Sequence, residues 1–125
     1  ASDYVSVHVP LGPETQGFIG SKEIQKMNKN AFLINTSRGG TVDPDALREA
    51  LTAGKIAGAA LDVTLPEPIS PDDPLLHMEN VIITPHIASA SAATLRRMGL
   101  MAADNVISHL IGEPMPACLN PEAAG

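Results

Sequence analysis

Arg38, Glu67 and His86 are the residues of this chain whose types and placing suit chemistry on a small anion, since each follows a short apolar run that reads as a buried strand. The planar guanidinium of arginine grips a carboxylate through two parallel bonds. Imidazole exchanges protons near neutrality, and a carboxylate beside it favours its protonated form. In a parallel sheet the strands finish on one rim, so three residues distant in sequence can share one cleft. Proton and hydride transfer on an anionic substrate is the chemistry such a trio serves.

Each of these residues also has a plainer reading. Arg38 sits in N-T-S-R-G-G, where Gly39 and Gly40 allow a sharp turn, and it fits a surface or helix-capping arginine equally well. A lone histidine such as His86, between Pro85 and Ile87, is more often a structural residue with its bonds satisfied. Glu67, held between Pro66 and Pro68, reads by itself as a solvated loop acid. Asp62 ends an otherwise apolar run, so its carboxylate needs water, a donor or a ligand amide, with helix capping as the competing use. His77 and His109 take no role, and Met98 and Met101 read as core filler.

The elements that must position the trio alternate between strand and helix. Residues 4–9 place β-branched side chains at every second position, the period of a strand, and Pro10 ends them. A glycine-containing loop follows, then a short helix capped by Ser21 and running through Met27. Residues 31–35 are a continuous apolar run, as expected of a strand covered on both faces, and residues 36–40 turn. Asp43 and Pro44 read as the N-cap and first position of a second helix, with Leu47, Ala50 and Leu51 on its inner face and Gly54 just past its end.

Residues 56–63 form a third strand whose small members, Ala57, Gly58, Ala59 and Ala60, let a helix or ligand come close. Pro66, Pro68, Pro71 and Pro74 stiffen the next loop. A fourth strand spans residues 81–84. Ser89 or Ser91 then caps the longest helix, residues 92–111, with Leu95, Met98, Ala102, Val106 and Leu110 as its apolar stripe. This alternation predicts an α/β fold, a partial doubly wound Rossmann-type parallel sheet with flanking helices. Every predicted strand ends on polar groups: His8 to Pro10, Thr36 to Arg38, Asp62, and His86.

Composition narrows the function further. A formal charge of −6 without a basic cluster, and only Tyr4, Phe18 and Phe32 as aromatics, argue against a nucleic-acid surface. With 44% hydrophobic and 18% charged residues, the 125-residue chain is expected to fold, as one domain at most. Cys118 cannot form an internal disulfide, and one thiol with four scattered histidines offers no paired metal ligands. No apolar run approaches the ~20 residues that cross a bilayer, and the N-terminus carries no basic region followed by an apolar core. A cytoplasmic setting is the expectation. The chain opens on Ala1, with a strand-like segment only a few residues on, so further residues are expected upstream.

Four motifs in order, V-S-V-H-V-P-L, A-F-L-I-N-T-S-R-G-G-T-V-D, G-A-A-L-D-V-T-L-P-E-P and N-V-I-I-T-P-H-I-A-S-A, together resemble the D-isomer-specific 2-hydroxyacid dehydrogenases over residues 3–116. L-D-V-T-L-P-E-P-I and G-E-P-M-P are most similar to the glyoxylate/hydroxypyruvate reductases of that family. The resemblance implies that residues 1–111 are the second half of a nicotinamide-dinucleotide-binding domain, ending in the helix that returns to a substrate domain to which residues 112–125 belong.

It also implies a role for each residue. Arg38 anchors the substrate, Glu67 partners the histidine, and His86 is the acid/base. His8, Val9, Pro10, Thr36, Ser37, Asp62, Ala88 and Ser89, with Arg38 and His86, border NAD or NADP, and Ser89 also touches substrate. The substrate implied is a small 2-oxo or 2-hydroxy acid, and the complete protein is expected to be a homodimer, with no nucleic-acid or membrane partner. One departure stands out: no G-x-G-x-x-G follows a strand, so the pyrophosphate-binding turn is absent from these residues. The isolated chain is therefore expected to bind cofactor poorly and turn over little. An NAD(H)-sensing module like the corepressors that share this fold, without significant turnover, is the alternative, and a degenerate fragment is the third.

Overall fold

The computed structural model describes residues 2–123. Its four strands, β1 (Tyr4–Val7), β2 (Phe32–Asn35), β3 (Gly58–Leu61) and β4 (Val81–Ile83), pair in parallel in the order β1-β2-β3-β4. Three helices accompany them: α1 (Ser21–Gln25), α2 (Pro44–Thr52) and α3 (Ala92–Leu110). The chain divides after Ala88 into two compact units, the first holding the sheet and the second holding α3.

Parallel strands that follow one another in a single direction, joined by crossovers of one hand, put every connection on the same face of the sheet. The burial pattern is the result. Val7, Leu33, Ala59 and Leu61 share a buried cluster with Ile24 of α1, with Ala46, Leu47, Ala50 and Leu51 of α2, and with Leu75 of the last connection. On the opposite face Tyr4 stacks on Phe32, with ring centroids 5.8 Å apart, and Tyr4, Phe32 and Ile82 are exposed. The apolar run of β2 had predicted cover on both faces; in the first unit it is covered on one.

Local signals explain most boundaries. Asp43 caps α2 as expected, accepting from the N–H groups of Asp45 and Ala46, and Gly54, at φ +62°, follows the Ala53 C-cap. At α1 the cap is Gly20, not Ser21, which lies inside the helix; the Gly20 N–H instead donates to the Glu23 carboxylate. That helix stops at Gln25 rather than Met27. All four strands are shorter than their apolar runs, because β1 ends at Val7, β2 begins at Phe32, β3 spans only Gly58–Leu61 and β4 stops before Thr84. The small residue of β3 with a close neighbour is Gly58, whose missing Cβ leaves room for the Asn80 carbonyl and the Phe32 ring rather than for a helix.

One short helical turn, Pro74–His77, was not foreseen within the proline-rich loop. Asp73 caps it, accepting from the Leu75 N–H at 3.0 Å, and is itself buried against Arg48 of α2 at 3.1 Å. This pair fastens the third connection to the helix beside it. In the second unit, Ser91 caps α3 through the Thr94 N–H, which decides between the two serines proposed for that place. No residue of α3 is buried, and Leu95, Met98, Met101, Val106 and Leu110 are exposed, so the two methionines are not core filler here. No helix is long and apolar enough to cross a membrane among the described residues.

Candidate active site

The pairing register sets the four strand ends side by side: Val7 beside Asn35, Asn35 beside Leu61, and Leu61 beside Ile83. The polar residues that follow them therefore emerge along one rim, where a parallel sheet binds ligands. They gather in two clefts. Glu67 and His86 line one with Asp62, Thr64, Thr84 and Pro85. Arg38 lines the other with His8, Val9, Pro10, Thr36 and Ser37.

In the first cleft His86 Nδ1 lies 2.6 Å from Glu67 Oε1. With a carboxylate as acceptor, that nitrogen carries the proton, and Nε2 is the ring nitrogen left for other work. Both side chains are a little over two-fifths exposed, so the pair is open to solvent and ligand. Glu67 is set by the rim loop, whose Leu65–Pro66 and Glu67–Pro68 peptide bonds are both cis and whose Thr64 hydroxyl donates to the Pro66 carbonyl at 2.8 Å.

The backbone of His86 has φ +54°, alone among the described non-glycine residues in the left-handed region. Such a conformation costs an L-residue about 1–2 kcal/mol, so neighbouring bonds must enforce it. They come from Asp62. Its carboxylate accepts from the Thr84 hydroxyl at 2.5 Å, the Ile87 N–H at 2.9 Å and the Ala88 N–H at 2.8 Å. The Thr84 bond and then the Ile87 N–H hold the Asp62 carboxyl below the usual carboxylate range against the opposing effect of burial, with the Ala88 N–H and the His86 charge adding to them.

In the second cleft the backbone is fixed by two buried polar residues that sequence reasoning missed, Asn35 and Thr41. The Asn35 amide and the Thr41 hydroxyl both donate to the Arg38 carbonyl, at 3.0 and 2.7 Å, while Asn35 Oδ1 accepts from the Ser37 N–H and hydroxyl. An asparagine closing an apolar strand was the available signal, of the same kind that drew attention to Asp62. The Arg38 side chain itself is exposed and donates one bond, from Nη1 to the Ser37 carbonyl, with no carboxylate partner among the described residues. His8 is bonded through Nε2 to Ser6 Oγ at 2.7 Å.

Gly39 links the two clefts. A Cβ on Gly39 would fall 1.9 Å from the Thr64 carbonyl oxygen, so only glycine lets the Arg38 turn and the loop leading to Glu67 approach this closely. Ala88 contributes its N–H to Asp62, whereas Ser89 opens the second unit. No cluster of metal-ligating side chains occurs among the described residues.

Comparison with known proteins matches this geometry to a family. The model of the D-isomer specific 2-hydroxyacid dehydrogenase NAD binding domain matches residues 1–88. The glyoxylate reductase of Korarchaeum cryptofilum is 53% identical over 121 residues, which are 97% of this chain and 36% of that protein. A crystal structure of a Thermus thermophilus protein superposes with a TM-score of 0.88 at 44% identity, covering 94% of this chain and 38% of that one. The NADPH-dependent glyoxylate/hydroxypyruvate reductase of Sinorhizobium meliloti, in complex with NADP and malonate, gives a TM-score of 0.80 at 39% identity, over 86% of this chain and 34% of its own. The chain thus spans little more than a third of the length of these relatives.

Proposed function

This chain belongs to the D-isomer specific 2-hydroxyacid dehydrogenase family, and from that membership we propose that the complete protein uses NADH or NADPH to reduce a small 2-oxo acid, of the glyoxylate or hydroxypyruvate type, to a D-2-hydroxy acid. The observation that carries this reading is the 2.6 Å bond between His86 Nδ1 and Glu67 Oε1 at the carboxyl rim of the sheet. With Nδ1 committed to the carboxylate, Nε2 donates the proton that the carbonyl oxygen needs as it becomes a hydroxyl. Glu67, bonded to Nδ1, keeps the ring in orientation.

Arg38, with four of its five N–H donors unspent on the described residues, grips the substrate carboxylate and draws electron density from the adjacent carbonyl. Holding the carboxylate and the carbonyl of a small 2-oxo acid at once supplies much of the rate by positioning alone.

The residues present suit the nicotinamide end of a dinucleotide. Three of roughly four acceptor positions on the Asp62 carboxylate are filled by protein donors, which leaves one on Oδ2 for a carboxamide N–H. His8, Val9, Pro10, Thr36 and Ser37 line the other cleft of the same rim. When bound, the nicotinamide supplies the hydride. On the same reading residues 1–111 complete a nicotinamide-binding domain and its return helix, residues 112–125 join the substrate domain, Ser89 lies beside substrate and cofactor, and the whole protein is a cytoplasmic homodimer.

The test is oxidation of NADH and of NADPH by the full-length protein with glyoxylate, hydroxypyruvate and pyruvate, followed by absorbance. Turnover with at least one pair is expected. Absence of turnover with every combination, in a folded protein that binds cofactor, would remove the reductase reading.

A further inference from the structure

His86 occupies a backbone conformation that histidine does not choose, at φ +54°, and bonds to Asp62 hold it there. Thr84 and Ile87 share one oxygen of Asp62 and Ala88 takes the other, while the His86 N–H donates to the Asp62 carbonyl at 2.9 Å. Residues on both sides of His86, and His86 itself, are therefore anchored to the single residue that follows β3. The left-handed turn aims the successive N–H groups of Ile87 and Ala88 to one side, the concavity by which a backbone binds an anion. That anion is the Asp62 carboxylate, which is 6% exposed and so held in a fixed place by the sheet.

We propose that Asp62 and Thr84 are positioning residues that clamp the His86 backbone and so aim its ring at Glu67 and at the substrate. This rests on the reading of His86 as the proton donor and adds to it, because a carboxylate used only to hold a nicotinamide would not need two N–H groups and a hydroxyl from the histidine segment. Thr84 is the independent member. Its hydroxyl meets Asp62 and makes no other hydrogen bond among the described residues.

The experiment uses the full-length protein with Asp62→Ala, Asp62→Asn and Thr84→Val. Amide hydrogen exchange at Ile87 and Ala88, and the proton resonance of His86 Nδ1–H, report the clamp without any turnover. Faster exchange at both amides and loss or displacement of that resonance are expected in Asp62→Ala, with smaller changes of the same kind in Asp62→Asn and Thr84→Val. Unchanged exchange and an unchanged resonance would overturn the proposal, even if the wild-type protein proved to be no reductase.

In the active protein, turnover at saturating substrate and cofactor should fall about ten- to a hundredfold in Asp62→Asn, the scale of a misplaced reacting group, over and above any rise in the Kd of NADPH or NADH from the lost carboxamide bond. Thr84→Ser, which restores the hydroxyl, should recover most of the loss seen in Thr84→Val. The opposite split, weakened cofactor binding with turnover retained, would confine Asp62 to the cofactor and also overturn the clamp. Should Asp62→Ala fail to fold, Thr84→Val against Thr84→Ser decides alone.

Discussion

The two halves of the rim are built to different rules. Beyond β3 and β4 the side chains are committed: Asp62 to three donors, Thr84 to Asp62, and His86 to Glu67. Beyond β1 and β2 the backbone is held as firmly, through Asn35 and Thr41, but the Arg38 guanidinium spends a single donor on its own neighbour's carbonyl. The contrast suits the two tasks proposed for these residues. Moving a proton needs fixed atoms, whereas capturing an anion needs a cation whose donors stay open until the anion arrives.

The sharpest way to break that contrast is at the committed half. In the full-length protein His86→Ala should lower turnover by about a hundredfold to ten-thousandfold, the range that a positioned acid supplies, while the KM for the 2-oxo acid changes much less. Steady-state kinetics at saturating cofactor measure this, and a loss confined to KM would place the proton elsewhere. At the open half, Arg38→Lys keeps the charge but loses the planar fork. The KM for the 2-oxo acid should rise roughly tenfold to a hundredfold, from about 1.5–3 kcal/mol of charge-assisted bonding. Equal affinity in the lysine variant would show that a point charge suffices.

Gly39→Ala tests whether the halves are joined. Its Cβ has no room beside the Thr64 carbonyl, so the two loops must separate, with an expected stability cost of about 1–3 kcal/mol read from the denaturant midpoint. Activity at both halves should fall together.

An effect on stability alone is expected at a distance from the rim. Burial alone would raise the Asp73 carboxyl, but the bond from Arg48, the Leu75 N–H and the Arg48 charge outweigh it and leave the group below its ordinary value. A carboxyl lowered by folding contributes stability that is complete above its unfolded value of about 3.9 and disappears as pH falls through the lower folded value. Asp73→Asn should therefore flatten the loss of stability between about pH 4 and the folded value, and lower stability near neutrality by about 1–3 kcal/mol. Thermal melts across that range, run beside wild type, check both.

The parallel sheet, the α2 cap and the rim itself were legible because they are local: apolar runs, Asp43 before Pro44, and polar residues at strand ends. Resemblance over four motifs then named the family that the comparison bears out. Burial was less legible. The apolar stripe of α3 and the second face of β2 carry the pattern of covered surfaces, and pattern says that cover is needed without saying which residues give it. The Asp62 clamp was out of reach for a related reason. A carboxylate after a strand announces that it needs donors, but Thr84, Ile87 and Ala88 are more than twenty residues away, and only the β3–β4 pairing brings them together.

Strand order has one more effect, on how this sheet can grow. Its two margins are unequal, since β4 is three residues long and β1 is four, with Tyr4 presenting its ring outward and Val5 and Val7 turned toward the core. Among the described residues the outer peptide groups of β1 form the longer unpaired row, and such a row is a template for an extended segment. A peptide or fused segment meant to widen the sheet of these residues belongs alongside Tyr4–Val7.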